Sequence, residues 1–209
     1  MLSSDAFNKL YRTLRCGLRG EFFHELPKEG MSMTTDAEPI TYCTYESPVG
    51  ELLIGGEAGG LEFIHFPESA RRRYVEDGWI EDATSYADLI AQLAAYFAGD
   101  LKEFSLNWKL IGTEFQKSVW EQLAAIPFGE TRSYGDVAKA LGNPGASRAV
   151  GLANNANPLP IVIPCHRVIG SNGALVGFGG GIDTKIWLLD HEGIPHGTKA
   201  NKDQMAFSF

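Results

Sequence analysis

Residues 133–155 read SYGDVAKALGNPGASRAVGLANN, and this stretch decides how the second half of the chain is understood. Ser133 followed by Asp136 is a capping-box-like start, because hydroxyl and carboxylate can each accept from the other residue's backbone N–H. The short helix it opens runs through Leu141. Gly142-Asn143-Pro144-Gly145 then makes a tight turn, since Pro fixes φ and Gly accepts conformations closed to other residues. Residues 146–155 form the next short helix. Helix, glycine-containing turn and second helix make a helix-turn-helix candidate, a motif that docks on DNA but is also a common way to pack two helices.

On the C-terminal side lie two short apolar runs, Ile161 to Ile163 and Arg167 to Ile169. The turn Ser171-Asn172-Gly173 and a glycine-rich stretch follow, as in the wing of a winged helix. A last helix, about Asp183 to His191, presents Ile186, Trp187, Leu188 and Leu189 as core candidates and ends at Gly193. On the N-terminal side, Thr113 opens a helix through Ile126 with Phe115, Val119, Trp120 and Leu123 on its apolar face. Pro127 and Gly129 stop it.

Further toward the N-terminus the periodicity changes from helix to strand. Thr41 to Tyr45, Leu52 to Ile54 and Leu61 to Phe66 are strand-forming runs separated by glycines, and Ser47-Pro48-Val49-Gly50 supplies the turn between the first two. Residues 87–98 carry Leu89, Ile90, Leu93, Tyr96 and Phe97 at helical spacing until Gly99 ends the run. The fold class is therefore α+β, a small N-terminal α/β domain (residues 39–111) followed by a mostly helical winged helix-turn-helix domain (residues 112–194). Residues 1–38 are an N-terminal extension and 195–209 a polar tail. Within the extension, Phe7, Leu10, Tyr11, Leu14 and Leu18 share one helical face among basic residues, which reads as a surface or targeting helix. Met31 and Met33 are alternative starts.

Composition narrows the class of function. The 44% hydrophobic and 21% charged residues are ordinary for a soluble globular protein, and no apolar run approaches the roughly 18 residues of a membrane span. Three widely spaced cysteines, Cys16, Cys43 and Cys165, do not read as a disulfide framework, which fits a reducing, cytoplasmic setting. A net charge of -8 argues against a nucleic-acid partner at first, yet the excess is uneven. Residues 1–112 hold 10 Lys and Arg against 18 Asp and Glu, whereas residues 113–194 hold 6 against 7. A local DNA interface of modest, salt-sensitive affinity fits in the second half.

Cys165 is the residue most open to chemistry. Pro164 cannot donate a ladder hydrogen bond, so the chain leaves any sheet there and can hold the thiol in a fixed place. A thiol is a strong nucleophile only as thiolate, which a neighbouring base such as His166 favours. Glu192, in the closing DHEG segment, is the carboxylate best placed to orient His166. From local sequence alone, a lone Cys-His pair favours the plainer description, a buried cysteine beside a surface histidine. Cys43 lies in a strand-like run and reads as a small core residue. A zinc site from Cys16, His24, Cys43 and His65 is conceivable, but no ligand pair has a recognised spacing.

The stretch PCHRVIG, preceded by NPLPIVI and followed by GFGGG and KIWLLDHEG, resembles the methylated-DNA-protein-cysteine methyltransferases, or O6-alkylguanine-DNA alkyltransferases. The likeness runs from about Gly112 to Gly193 through GTEFQKSVWEQL, IPFGETRSYGDVAKALGNP and SRAVG. The first half is similar to the family's N-terminal domain more loosely, in its hairpin and its AAYFAG helix. The resemblance implies repair of O6-alkylguanine, and of O4-alkylthymine, in double-stranded DNA by stoichiometric, irreversible alkyl transfer to Cys165, by a monomer without cofactor or metal. It implies that His166 acts on the thiol through a water, that Glu192 orients His166 and that Asn157 supports the active-site turn. By the same resemblance Tyr134 donates a hydrogen bond to the departing guanine and Arg148 enters the duplex in place of the flipped base. Asn143 and Ser171 are implied as further DNA contacts, and Pro160, Val168, Phe178 and Gly179 as the substrate pocket.

One departure from the family pattern is visible. Phe178 and Gly179 stand where many members have tyrosine and a small residue, which leaves backbone N–H groups to contact the base and makes a roomier pocket. Three other functions compete. A non-catalytic lesion-binding protein would lack the acceptor cysteine, and a DNA-binding regulator would bring further domains. A cysteine hydrolase takes its Cys and His from distant segments.

Overall fold

The computed structural model describes residues 38–69 and 72–196. The readings for residues 3–20, for Cys16 and His24, for Met31 and Met33 and for the tail beyond residue 196 lie outside them. β1 (Ile40–Ser47) and β2 (Gly50–Glu57) pair antiparallel with Ser47 opposite Gly50, so Pro48 and Val49 form a two-residue turn. Gly50 has φ 98°, and the Ser47 hydroxyl donates to its carbonyl at 2.6 Å. β3 (Phe63–His65) lies on the other side of β2. β4 (Ile80–Glu81), an exposed two-residue strand that no sequence pattern announced, pairs parallel with β1 and completes the order β3-β2-β1-β4.

α1 (Ala87–Ala98) buries Leu89, Leu93 and Tyr96 and ends in a left-handed Gly99, as its spacing predicts. α2 (Glu114–Ala124) starts at a full capping box between Thr113 and Gln116 and buries Val119, Trp120 and Leu123. Phe115 departs from the expected apolar face: it is 38% exposed, because it sits in the first turn before the helix meets the core at Val119. The helix also stops two residues short of Ile126.

α3 (Tyr134–Ala140) begins at a second capping box, Ser133 with Asp136, and α4 (Ser147–Asn155) follows the glycine turn. The two helices pack on each other and on α2, where the Trp120 indole N–H donates to the Ala153 carbonyl at 2.8 Å. β5 (Arg132–Ser133) pairs parallel with β6 (Val168–Ile169), so the second apolar run is a short strand against the entry of α3, while Ile161 to Ile163 is a turn. α5 (Ile182–His191) buries Leu188 and Leu189 completely, with Ile186 and Trp187 half-buried, and Gly193 lies just beyond it at φ 69°.

The chain is an α+β protein with its four-stranded sheet in the N-terminal half and its helices concentrated in the C-terminal half. One apolar cluster draws on both, from Leu52, Ile54 and Leu93 to Trp120, Val150 and Ile163. Each fully buried aliphatic side chain there stabilises the fold by about 2 kcal/mol. Cys43 and Cys165 both belong to this cluster.

Candidate active site

The turn before Cys165 has no regular structure, and one amide side chain supports it. Asn157 Nδ2 donates to the Ile163 carbonyl at 2.7 Å, and Asn157 Oδ1 accepts the Leu159 N–H at 3.0 Å. Ile161, a β-branched residue, is held at φ 76°, a conformation that costs energy and persists only where its surroundings enforce it. Pro164 then leads into a 3-10 turn, Cys165–Arg167, whose Cys165 N–H donates back to Ile163.

The Cys165 thiol is 4% exposed. Burial pushes its pKa up to about 11, opposed by the Asn157 side chain, the Lys185 charge and the N–H groups of Cys165 and His166. At rest it is therefore a thiol, and a base must take its proton as it reacts.

His166 is fully buried, with Nε2 2.8 Å from Glu192 Oε1. Burial lifts the Glu192 pKa, but hydrogen bonds and charge from His166 and Arg167 outweigh it and hold the carboxyl down to about 2. Glu192 is thus an anion that only accepts, which assigns the proton to His166 Nε2 and leaves Nδ1 with a free lone pair. That Nδ1 is buried and has no hydrogen-bond partner among the described residues. Burial, set against the Glu192 contacts, keeps the imidazole pKa below its ordinary 6.5, so the ring is neutral near pH 7. The local arrangement is a neutral base on the residue that follows the thiol in sequence, with its Nε2 fixed by a carboxylate.

Glu192 is held by more than His166. Arg167 Nε reaches Oε2 at 2.8 Å and Arg167 Nη2 reaches Oε1 at 2.9 Å, while its third nitrogen donates to the Ile126 carbonyl at 2.6 Å. The Tyr96 hydroxyl donates to Oε1 at 2.8 Å and the Gly129 N–H to Oε2 at 3.3 Å. Lys185 is also fully buried, with Nζ donating to the carbonyls of Val168 (2.6 Å) and Val176 (3.3 Å). Burial lowers its pKa to about 8, and Cys165 acts in the opposite direction. Tyr96, Arg167 and Lys185 escaped the reading of the residues. Their only signal was membership of the AAYFAG, PCHRVIG and KIWLLDHEG segments.

A cavity of about 310 Å³ opens beside Cys165 and is lined by Asn157, Pro160, Phe178 and Gly179, with Phe66 and His65 of the sheet half opposite. Gly180 comes so close to Phe66 that a Cβ there would lie 2.4 Å from the ring. Val168 instead is buried in β6. Tyr134 is half-buried at the start of α3 beside Gly151 of α4, and burial followed by the Cys165 charge raises its pKa, so the phenol keeps its proton. Arg148 is exposed on α4 with no ion pair among the described residues, and Asn143 and Ser171 are exposed in turns. Cys43 is 2% exposed, and burial raises its thiol pKa to about 11. Among the described residues no cluster of three or more His, Cys, Asp or Glu could hold a metal, and no helix is long and apolar enough to cross a membrane.

A buried cysteine, the histidine that follows it, with Nδ1 unpartnered among the described residues, and a buried carboxylate make up a thiol-based nucleophilic centre, in a half of the chain that also carries a helix-turn-helix. Comparison with known proteins supplies the family. Residues 114–194 match the family described as 6-O-methylguanine DNA methyltransferase, DNA binding domain, and residues 40–110 match its ribonuclease-like domain. The methylated-DNA–protein-cysteine methyltransferase of Methanosarcina acetivorans is 51% identical over 152 residues, covering 73% of this chain and 97% of the relative. That of Mycobacterium leprae is 47% identical over 147 residues, 70% of this chain and 88% of the relative. The crystal structure of Mycobacterium tuberculosis OGT in complex with DNA aligns with a TM-score of 0.69 at 44% identity, over 80% of this chain and 99% of that one. The chain belongs to the 6-O-methylguanine DNA methyltransferase family.

Proposed function

We propose that this protein repairs O6-alkylguanine, and also O4-alkylthymine, in double-stranded DNA by moving the alkyl group irreversibly onto Cys165, once per molecule. The observation that carries this reading is a buried Cys165 followed in the chain by a buried His166 whose Nε2 is tied to an ionised Glu192 and whose Nδ1 has no hydrogen-bond partner among the described residues. The names of the relatives, methylated-DNA–protein-cysteine methyltransferase, support the same reaction.

In this mechanism His166 Nδ1 takes the Cys165 proton, through one water, as sulfur attacks the alkyl carbon. The carbon–O6 bond breaks, its electron pair goes to the guanine, and Tyr134 donates a proton to the departing base. The proton held by His166 returns to Tyr134 by way of solvent, so thiol plus alkylguanine become thioether plus guanine. A thioether does not hydrolyse, and no second turnover follows. The target carbon lies inside the base stack, so the nucleotide must rotate out at a cost of a few kcal/mol, which an inserted side chain offsets. Arg148 is assigned that insertion, supported by its exposure on α4 and its freedom from ion pairs among the described residues. Asn143 and Ser171 are assigned flanking DNA contacts, Asn157 the support of the turn, and Pro160, Phe178 and Gly179 the pocket, from which Val168 is withdrawn because it is buried in β6.

The boundary between the two domains is placed at residues 111 and 112, consistent with the family matches ending at 110 and starting at 114. The protein acts as a monomer in the cytoplasm. Without a hydroxyl at Phe178 or a side chain at Gly179, the pocket accepts alkyl groups larger than methyl, which comparison of transfer rates from methylated and benzylated guanine tests.

The decisive experiment is mass spectrometry of the protein after mixing with duplex DNA containing O6-methylguanine. A gain of one methyl group on Cys165, absent from Cys165→Ala, is expected. No gain, or a gain elsewhere, overturns the reading.

A further inference from the structure

Glu192 ends the last helix, yet its third anchor comes from the first. The Tyr96 hydroxyl, carried on α1, donates to Glu192 Oε1 at 2.8 Å, on the same oxygen that accepts His166 Nε2. The contact is buried and spans 96 residues of sequence. Tyr96 grips the same helix end a second time through its backbone carbonyl, which lies 2.7 Å from His191 Nε2. Its ring leaves little room to move. Phe104 and His191 pack against it with centroids 5.5 Å and 5.1 Å away, and Phe97 and Phe128 add edge contacts.

We infer that Tyr96 is a positioning residue for the transfer reaction, through which the sheet half of the chain sets the orientation and basicity of the His166–Glu192 relay. This rests on the function proposed above. Glu192 Oε1 accepts from three donors, Tyr96, His166 and Arg167. A carboxylate oxygen has two lone pairs, so these donors share its charge and each reduces what the others receive. Burial and the neighbouring Glu192 charge raise the Tyr96 pKa, and the hydroxyl donates at any working pH. The phenol therefore limits how strongly Glu192 pulls on the His166 proton, keeping the imidazole neutral and Nδ1 available. It also stops the carboxylate from turning about its long side chain, which fixes the plane of the imidazole.

Tyr96→Phe removes the hydroxyl and keeps the ring. Oε1 then has one donor fewer, His166 becomes more basic, and a larger fraction of it is already protonated at a given pH. Two changes follow, measured as single-turnover transfer from O6-methylguanine duplex DNA against pH. The rate near pH 7 falls about 10-fold, the scale of one hydrogen bond to a charged group, and the acidic limb moves upward by about half a pH unit or more. Phe104→Leu is the control, since it loosens the same aromatic cluster without touching Glu192, and its profile keeps the wild-type midpoint. Thermal melting shows whether each variant is folded at the assay temperature. A folded Tyr96→Phe with wild-type rate and profile overturns the inference, as does a rate loss with an unmoved midpoint, which is ordinary loosening of the core. Absence of transfer by the wild-type protein overturns the proposed function instead, so the two failures are distinguishable.

Discussion

Replacing Glu192 by glutamine changes one oxygen to an amide nitrogen and removes one charge from a site that five donors converge on. Those donors are Tyr96, His166, two nitrogens of Arg167 and the Gly129 N–H. Whichever way the amide turns, its NH2 faces N–H groups, and Arg167, 5% exposed, loses its counter-charge. Breaking a buried ion pair by removing one partner costs about 3 to 5 kcal/mol. The titration of Glu192 gives an independent scale. A carboxyl lowered from 4.5 to about 2 on folding contributes about 3 kcal/mol near neutral pH. Because the folded pKa is the depressed one, this contribution is complete above about pH 4.5 and is lost as pH falls toward 2. Urea unfolding monitored by tryptophan fluorescence should thus show Glu192→Gln less stable by about 3 kcal/mol at pH 7. The difference should shrink as both proteins are taken toward pH 3. In the same variant His166 loses its orienting anion, and transfer to Cys165 should slow by about 100-fold. A stability loss below about 1 kcal/mol at pH 7, together with transfer within a few-fold of wild type, would refute the idea that Glu192 organises this site.

Three further outcomes are expected. Lys185→Met removes the cation that opposes the burial of the thiol, so transfer should slow near neutral pH and reach its plateau at a higher pH than wild type. An unchanged rate–pH profile would show that the charge is not felt at sulfur. Gly180→Ala drives a methyl into the Phe66 ring, which cannot withdraw because it is 2% exposed in the core; denaturant unfolding should report about 1 to 3 kcal/mol lost, and a neutral effect would mean the loop shifts freely. Ser133→Ala removes the cap of α3, and the same measurement should give a loss of about 1 kcal/mol. Tyr134 sits at the first position of that helix, so its transfer rate should fall as well.

Helix ends were the most legible part of the fold, because a cap is a local contract between residues three apart. Ser133 with Asp136, Thr113 and Gly99 each mark an end that the structure keeps, while the reciprocal partner of Thr113, Gln116, emerges only in the structure. β4 was not legible. Its two residues are exposed, and their pairing with Thr41 and Tyr42 depends on where the intervening chain returns. At the site, Cys165 and His166 stand together in sequence, whereas the groups that govern them do not. Tyr96 reads as one more aromatic on an apolar helix face, Lys185 as a polar position on another, and Arg167 as part of a strand-like run. Each is functional only through a partner brought from 9 to 96 residues away, and no local pattern encodes such a distance. Phe115 shows the converse error, where helical spacing promised burial that the position of the first turn denied.

The buried lysine has a consequence in electroneutrality. With Cys165 as a thiol and His166 neutral, the buried charges among the described residues are Arg167, Lys185 and Glu192, one positive charge in excess. Loss of the thiol proton to solvent brings the ensemble to zero, so the low-dielectric interior is balanced in the ionised state of the nucleophile. Alkylation closes that option permanently. A spent molecule retains an unmatched buried cation beside a sulfur that can no longer ionise, and it differs from a fresh one in its internal charge balance as well as by an alkyl group.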